Sequence, residues 1–177
     1  MQAILIADDH PLFRAALAGT LRQIQPDCEV HEAGDMDQTR QALESRADID
    51  LVLLDLHMPG SYGFGGLLSL RNAHPTVATV MITANENPAT VRRALEFGAQ
   101  GYIPKRATPE EIAEALAAVD RGEVWHPPLD LEGGDEGTAR PREATLLARL
   151  TPQQHRVLEL VAEGLLNKQI ADRLNVS

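Results

Sequence analysis

Cysteine, tryptophan and tyrosine are nearly missing from this chain: its 177 residues include one Cys, one Trp, two Tyr and three Phe. With Cys28 alone, no disulfide can close within the chain, which fits a reducing compartment. With aromatics at 3%, the interior must be built from Leu, Ala, Val and Ile, within a hydrophobic content of 44%. No unbroken apolar run reaches the roughly eighteen residues of a membrane span. The first apolar run ends in acids, unlike a secretion signal. A cytoplasmic protein with no membrane partner is therefore expected.

A basic segment is lacking as well. The formal net charge is −10. Residues 1–126 hold 18 acids against 10 Lys/Arg, residues 127–150 five against three, and residues 151–177 three against three. A nucleic-acid module usually presents a basic face. By charge alone this chain is expected to bind DNA weakly or not at all.

What the sequence does have is alternation. Strand-like runs fall near 3–7, 28–33, 51–54, 77–82 and 101–103. Helical patterns fall between and after them, near 11–24, 36–46, 65–73, 88–97 and 109–121. Leu12, Ala16 and Leu21 sit at helical spacing, as do Ile112, Leu116 and Val119. Thr108-Pro109-Glu110-Glu111 is a helix start, with a hydroxyl cap, proline in the first turn and acids at the positive dipole end. Such alternation predicts right-handed crossovers and a parallel sheet. The run 51–54 is apolar throughout, as a central strand covered on both faces should be.

Residues 126–142 are rich in Pro and Gly and read as a linker. Helical signals return after 143. Thr151-Pro152-Gln153-Gln154 matches a capping box, and Val157, Leu158, Val161 and Leu165 form an apolar stripe. Asn167 can cap a second short helix carrying Ile170, Ala171 and Leu174, so the segment reads as a helix-turn-helix.

Three strand-like runs end in chemistry. The first ends in Asp8-Asp9, the third in Asp55 and the fourth in Thr83, while Lys105 follows the fifth. In an open α/β sheet, ligands bind at the carboxyl ends of the strands. Carboxylates of Asp8, Asp9 and Asp55 can hold a Mg²⁺ ion, a hard cation that binds oxygen and often bridges a carboxylate to a phosphate. A carboxylate can also form an acyl phosphate. Lys105 can contact a phosphoryl oxygen and Thr83 can donate to another. Each residue taken alone also has a plainer reading: Asp8-Asp9 as a helix cap, Asp55 as a turn start, Thr83 as a strand-end hydroxyl, Lys105 as a solvated charge. His10 reads as a helix start, His57 as a loop residue, Tyr102 as core with its hydroxyl at the rim, and Arg92 and Arg93 as an exposed helix face. The run Gly60-Ser61-Tyr62-Gly63-Phe64-Gly65-Gly66 lacks the Lys-Ser/Thr ending of a phosphate loop and reads as a flexible turn.

Asp8-Asp9, Asp55-Leu56-His57-Met58-Pro59-Gly60, Met81-Ile82-Thr83-Ala84 and Gly101-Tyr102-Ile103-Pro104-Lys105 resemble the receiver domain of two-component response regulators. Leu150-Thr151-Pro152-Gln153-Gln154, Gly164, Asn167-Lys168-Gln169-Ile170-Ala171 and Leu174 resemble the start of a LuxR-type helix-turn-helix. Together they resemble the NarL/LuxR-type branch. The resemblance implies a five-stranded, parallel, doubly wound sheet in order 2-1-3-4-5, a flavodoxin/CheY-like fold, followed by a partial all-α helix-turn-helix. The expected division is a receiver at 1–125, a linker at 126–149 and an incomplete module at 150–177.

The resemblance further implies that Asp55 is the phosphoacceptor for a sensor histidine kinase, with Mg²⁺. Asp9 would bind the ion directly, Asp8 largely through water, and the backbone carbonyl of His57 would complete the ligands. Lys105 would hold the phosphoryl group, and Thr83 and Tyr102 would form the switch pair, remodelling residues 84–105. Homodimerisation on DNA would be the output. In LuxR-type modules a third helix reads the major groove, and here it would begin after Ser177, so no DNA-contacting residue can be named. Residues 151–177 are expected to be less stable than the receiver. The rival expectations are a Mg²⁺-dependent phosphatase or phosphotransferase working through an aspartyl phosphate, and a receiver that binds proteins without phosphate.

Overall fold

In the computed structural model, residues 1–61 and 63–128 are described. Tyr62, nearly all of the expected linker and the expected helix-turn-helix lie outside the described residues. The elements alternate as β1 (Ala3–Ala7), α1 (Pro11–Ile24), β2 (Glu29–Ala33), α2 (Met36–Ser45), β3 (Ile49–Leu54), α3 (Gly65–Ala73), β4 (Ala78–Thr83), α4 (Pro88–Glu96), β5 (Gly101–Pro104) and α5 (Pro109–Asp120). All strand pairings are parallel, and the sheet order is β2-β1-β3-β4-β5. This is the doubly wound order the resemblance implies.

The pleat sends alternate residues to opposite faces. Leu5, Val52, Leu54, Met81 and Tyr102 join one core with α2, α3 and α4. Ile4, Ile6, Leu51, Leu53, Ile82 and Ile103 join the other with α1 and α5. Because β3 is covered on both sides, Leu51 to Leu54 are all buried. Edge strand β2 instead exposes Glu29 and Glu32, charges that discourage pairing with another chain.

Helix ends follow local chemistry. Asp35 caps α2 by accepting from the Gln38 amide at 2.8 Å. Asn87 caps α4 by accepting from the Ala89 amide at 2.9 Å. At α5 both arms of a capping box form: Thr108 Oγ1 accepts from the Glu111 amide at 3.3 Å, and the Thr108 amide donates to Glu111 Oε2 at 2.8 Å.

One expectation is corrected, and α1 shows which of its apolar residues lie inside. Leu12 is 88% exposed and Ala16 is exposed; α1 buries Leu17, Ala18 and Leu21 instead. The sequence around Phe13 to Ala18 is apolar on nearly every side, so periodicity could not choose the inner face. Arg92 and Arg93 are half-buried, not exposed, and the Arg93 guanidinium stands 5.7 Å from the Phe64 ring centre. Phe64 in turn stacks on Phe97 at 5.1 Å.

The turn after Pro59 carries its own ties. Gly60 has φ +79°, which favours glycine. Ser61 Oγ accepts from the Gly66 amide at 3.1 Å, and a Cβ on Gly66 would lie 2.5 Å from that oxygen. The chain leaving α5 also does more than lead away. The Trp125 amide donates to the Gln100 carbonyl at 3.2 Å, and the Tyr102 amide donates to the Trp125 carbonyl at 2.9 Å. Trp125 thus lies alongside the free edge of β5 as a parallel bridge to Gly101.

Candidate functional site

Strand register gathers the predicted residues. Ala7 pairs with Leu54, so Asp8 and Asp55 leave adjacent strand ends together. Thr83 pairs with Pro104, and the Lys105 amide donates to the Thr83 carbonyl at 2.9 Å. The Asp55 amide donates to the Ala7 carbonyl at 2.8 Å, which fixes the acid at the end of β3.

The ammonium of Lys105 sits between two buried carboxylates. Its Nζ is 2.7 Å from Asp8 Oδ2 and 3.1 Å from Asp55 Oδ2. Asp8 is fully buried and Asp55 nearly so. Phe13 of α1 braces the same ammonium, its ring centre 4.9 Å from Nζ. Burial alone would pull the Lys105 pKa down; close contacts with Asp8 and Asp55, and their charges, outweigh it and hold the pKa above the ordinary lysine value.

Ligand atoms of Asp8, Asp9, His10 and Asp55 lie within 4.8 Å of one another. Asp8 Oδ2 and Asp9 Oδ1 are buried oxygens without a hydrogen-bond donor. Each touches a nitrogen outside hydrogen-bond geometry: Lys105 Nζ at 2.7 Å and His10 Nδ1 at 2.7 Å. Asp8 and Asp55 flank the one ammonium, and the Asp9 carboxylate lies in the same group with them. That donor set fits a divalent cation, which would offset the excess negative charge.

Thr83 and Tyr102 meet on Asn85 rather than in the acidic group. Thr83 Oγ1 accepts from the Asn85 amide at 3.2 Å, and the Tyr102 hydroxyl donates to the Asn85 carbonyl. Tyr102 is fully buried, so its ring already points inward. Burial, then the charges of Glu86 and Asp55, push its pKa well above the usual tyrosine range. Arg106, next to Lys105, pairs through both guanidinium arms with Glu86 on the same loop as Asn85. The His57 side chain faces solvent, as a loop residue should.

Sequence reasoning missed four participants. Phe13 supports Lys105. The Arg14 guanidinium donates to the Asp8 carbonyl at 2.6 Å. His10, taken for a helix start alone, also turns its ring into the acids. Arg106 ties the β5–α5 loop to the β4–α4 loop. Only His10 carried a usable signal, by following two acids directly.

Comparison with known proteins gives two family matches. Residues 4–117 match the response regulator receiver domain, and residues 148–177 match the luxR family of bacterial regulatory proteins. The glycerol metabolism activator of Pseudomonas putida is 38% identical over 184 aligned positions, spanning 100% of this chain and 83% of that protein. The nitrate/nitrite response regulator protein NarL of Escherichia coli K12 is 34% identical over 177 positions, spanning 98% of this chain and 81% of its own. A solved structure of RcsB from Salmonella enterica serovar Typhimurium, bound to promoter rprA with the phosphomimetic BeF₃⁻, aligns with TM-score 0.64 at 27% identity. It covers 100% of this chain and 85% of that one.

Proposed function

Starting from a chain that belongs to the response regulators of two-component systems, with a receiver and a LuxR-type DNA-binding module, we propose that Asp55 is its phosphoacceptor. The observation that carries this reading is Lys105 Nζ held between Asp8 Oδ2 and Asp55 Oδ2 at 2.7 and 3.1 Å. An oxygen of Asp55 attacks the phosphorus of a kinase phosphohistidine; the phosphorus–oxygen bond forms as the phosphorus–nitrogen bond breaks. Lys105 is placed to leave Asp55 Oδ2 and follow the transferred phosphoryl oxygens as a point charge. Asp9 directly, Asp8 through water and the His57 carbonyl would hold Mg²⁺, with Asp55 as a further ligand. Bound there, the ion would neutralise the charge that develops on the transferred group.

Thr83 then turns its hydroxyl from the Asn85 amide to the phosphoryl group. Asn85, held also by Tyr102, moves with it, and residues 84–105 are remodelled. The sensor kinase, a homodimer formed on activation, DNA as the final target and a cytoplasmic location complete the reading. The solved RcsB complex with promoter DNA supports the DNA role. Among the described residues no helix is long and apolar enough to cross a membrane. We keep the division into 1–125, 126–149 and 150–177 as part of this reading. The role is regulation rather than turnover: enzymes working through an aspartyl phosphate usually carry a second acid two residues on, and His57 stands there with its side chain in solvent.

Incubation with acetyl phosphate and Mg²⁺ tests the assignment. Intact mass should rise by one phosphoryl group in the wild type and stay unchanged in Asp55→Asn. Equal labelling of both removes Asp55 from the role.

A further inference from the structure

Phe13 is the third residue of α1, and its ring centre lies 4.9 Å from Lys105 Nζ. The ring is half-buried and packs on the core under α1 and α5, while the Lys105 side chain is only 16% exposed. The ammonium therefore rests against two carboxylates and one ring. The ring's place is fixed from beside it. Arg14, the next residue, donates to the Asp8 carbonyl at 2.6 Å and to Glu32 Oε2 of β2 at 3.3 Å. The His10 amide donates to Asp8 Oδ1 at 2.8 Å. The start of α1 is thus tied to the same residue whose carboxylate meets Lys105.

We infer that Phe13 is a positioning residue for phosphoryl transfer: its ring face keeps the Lys105 ammonium over the site while that ammonium changes partners. The inference rests on the proposed role of Asp55 as acceptor, and adds to it the group that governs how Lys105 crosses to the phosphoryl oxygens.

Charge and solvation support this. Before transfer, carboxylates at 2.7 and 3.1 Å hold the ammonium with or without the ring. Transfer esterifies one Asp55 oxygen and takes away that carboxylate's charge. The ammonium then leaves it for the new phosphoryl oxygens; hydrogen bonds are exchanged, and Lys105 keeps all its protons. Between the two sets of partners an unpaired, half-desolvated ammonium is costly and would turn toward water. The face of an aromatic ring carries partial negative charge and attracts a cation without being an anion. It can hold the ammonium through the exchange, whereas a further carboxylate would repel the incoming phosphoryl group. An aliphatic side chain would fill the space and lack the attraction. The ring therefore contributes most where the carboxylates contribute least, which is the condition for raising a rate and not only steadying the resting state.

The test uses the full chain with Mg²⁺ and acetyl phosphate, and follows the rate of phosphorylation by intact mass. Mono-, di- and trifluorinated phenylalanine are placed at position 13 by nonsense suppression. Fluorine changes the bulk of the ring little and drains negative charge from its face in steps. The logarithm of the rate should fall with each fluorine, to a total loss of roughly 3- to 30-fold, the span of a cation–ring contact from partly to fully desolvated. Phe13→Leu, which keeps apolar bulk without a ring, should slow to the trifluorinated level. Trifluorinated phenylalanine at position 64, whose ring meets the Arg93 guanidinium, should leave the rate as in wild type. Circular dichroism of the fluorinated chains should match wild type, which separates rate from folding. A rate that stays flat across the series at position 13 overturns the positioning role and leaves Phe13 as packing, with Asp55 still the acceptor if Asp55→Asn takes no label. Equal slowing from positions 13 and 64 also overturns it. Label that persists in Asp55→Asn removes the proposed function itself, and this inference with it.

Discussion

The face of the sheet under α1 and α5 buries Ile4, Ile6, Ile82, Ile103 and Ile112, whereas the face under α2, α3 and α4 buries Met36, Met58, Met81, Phe97 and Tyr102. β-Branched side chains hold one χ1 well and pack stiffly. Methionine bends and fills changing gaps. Of the proposed switch pair, Tyr102 lies in the second face, and Thr83 is tied to it through Asn85, which opens the loop into α4. The first face supplies fixed supports, Phe13 beneath Lys105 and α1 behind Asp8. The difference teaches that a sheet can separate anchoring from movement by the side chains on its two surfaces.

The comparison breaks most easily on the stiff side. Ile6→Ala should cost about 2–5 kcal/mol, read from urea unfolding, because the cavity has little freedom to close. Met81→Leu on the softer side should cost under about 1.5 kcal/mol. Equal losses would erase the distinction.

Tyr102→Phe should come next, at about 0.5–1.5 kcal/mol, since the Asn85 carbonyl loses its donor. The same variant sharpens the pH behaviour. Tyr102 holds its proton to higher pH in the folded chain than in the unfolded one, as does Lys105. Stability from both is full below about pH 10 and is lost as pH rises toward their folded values. The urea midpoint should therefore fall on the alkaline side, and fall less in Tyr102→Phe.

The smallest effect belongs to Arg93→Ala. It removes the guanidinium over Phe64 and should cost about 0.5–1 kcal/mol.

Much of this was legible from period and punctuation. Strand and helix bounds matched within a few residues, because apolar runs, Pro and capping side chains mark them locally. Asp8, Asp9, Asp55 and Lys105 were found because parallel strands bring their carboxyl ends to one edge whatever the details of packing. What escaped depends on contacts far apart in the chain. Arg93 looked like surface because Phe64 and Phe97 meet only after α3 and α4 have docked. The inner face of α1 could not be chosen where Leu12, Phe13, Ala15, Ala16, Leu17 and Ala18 offer apolar groups on every side.

The pairing of Trp125 with Gln100 and Tyr102 bears on where this chain can be cut. A fragment stopped at Gly122, just past the close of α5, would strip the outer ribbon from its neighbour's backbone and bare a sticky margin. Three or four further residues would keep that margin capped by the indole-bearing peptide.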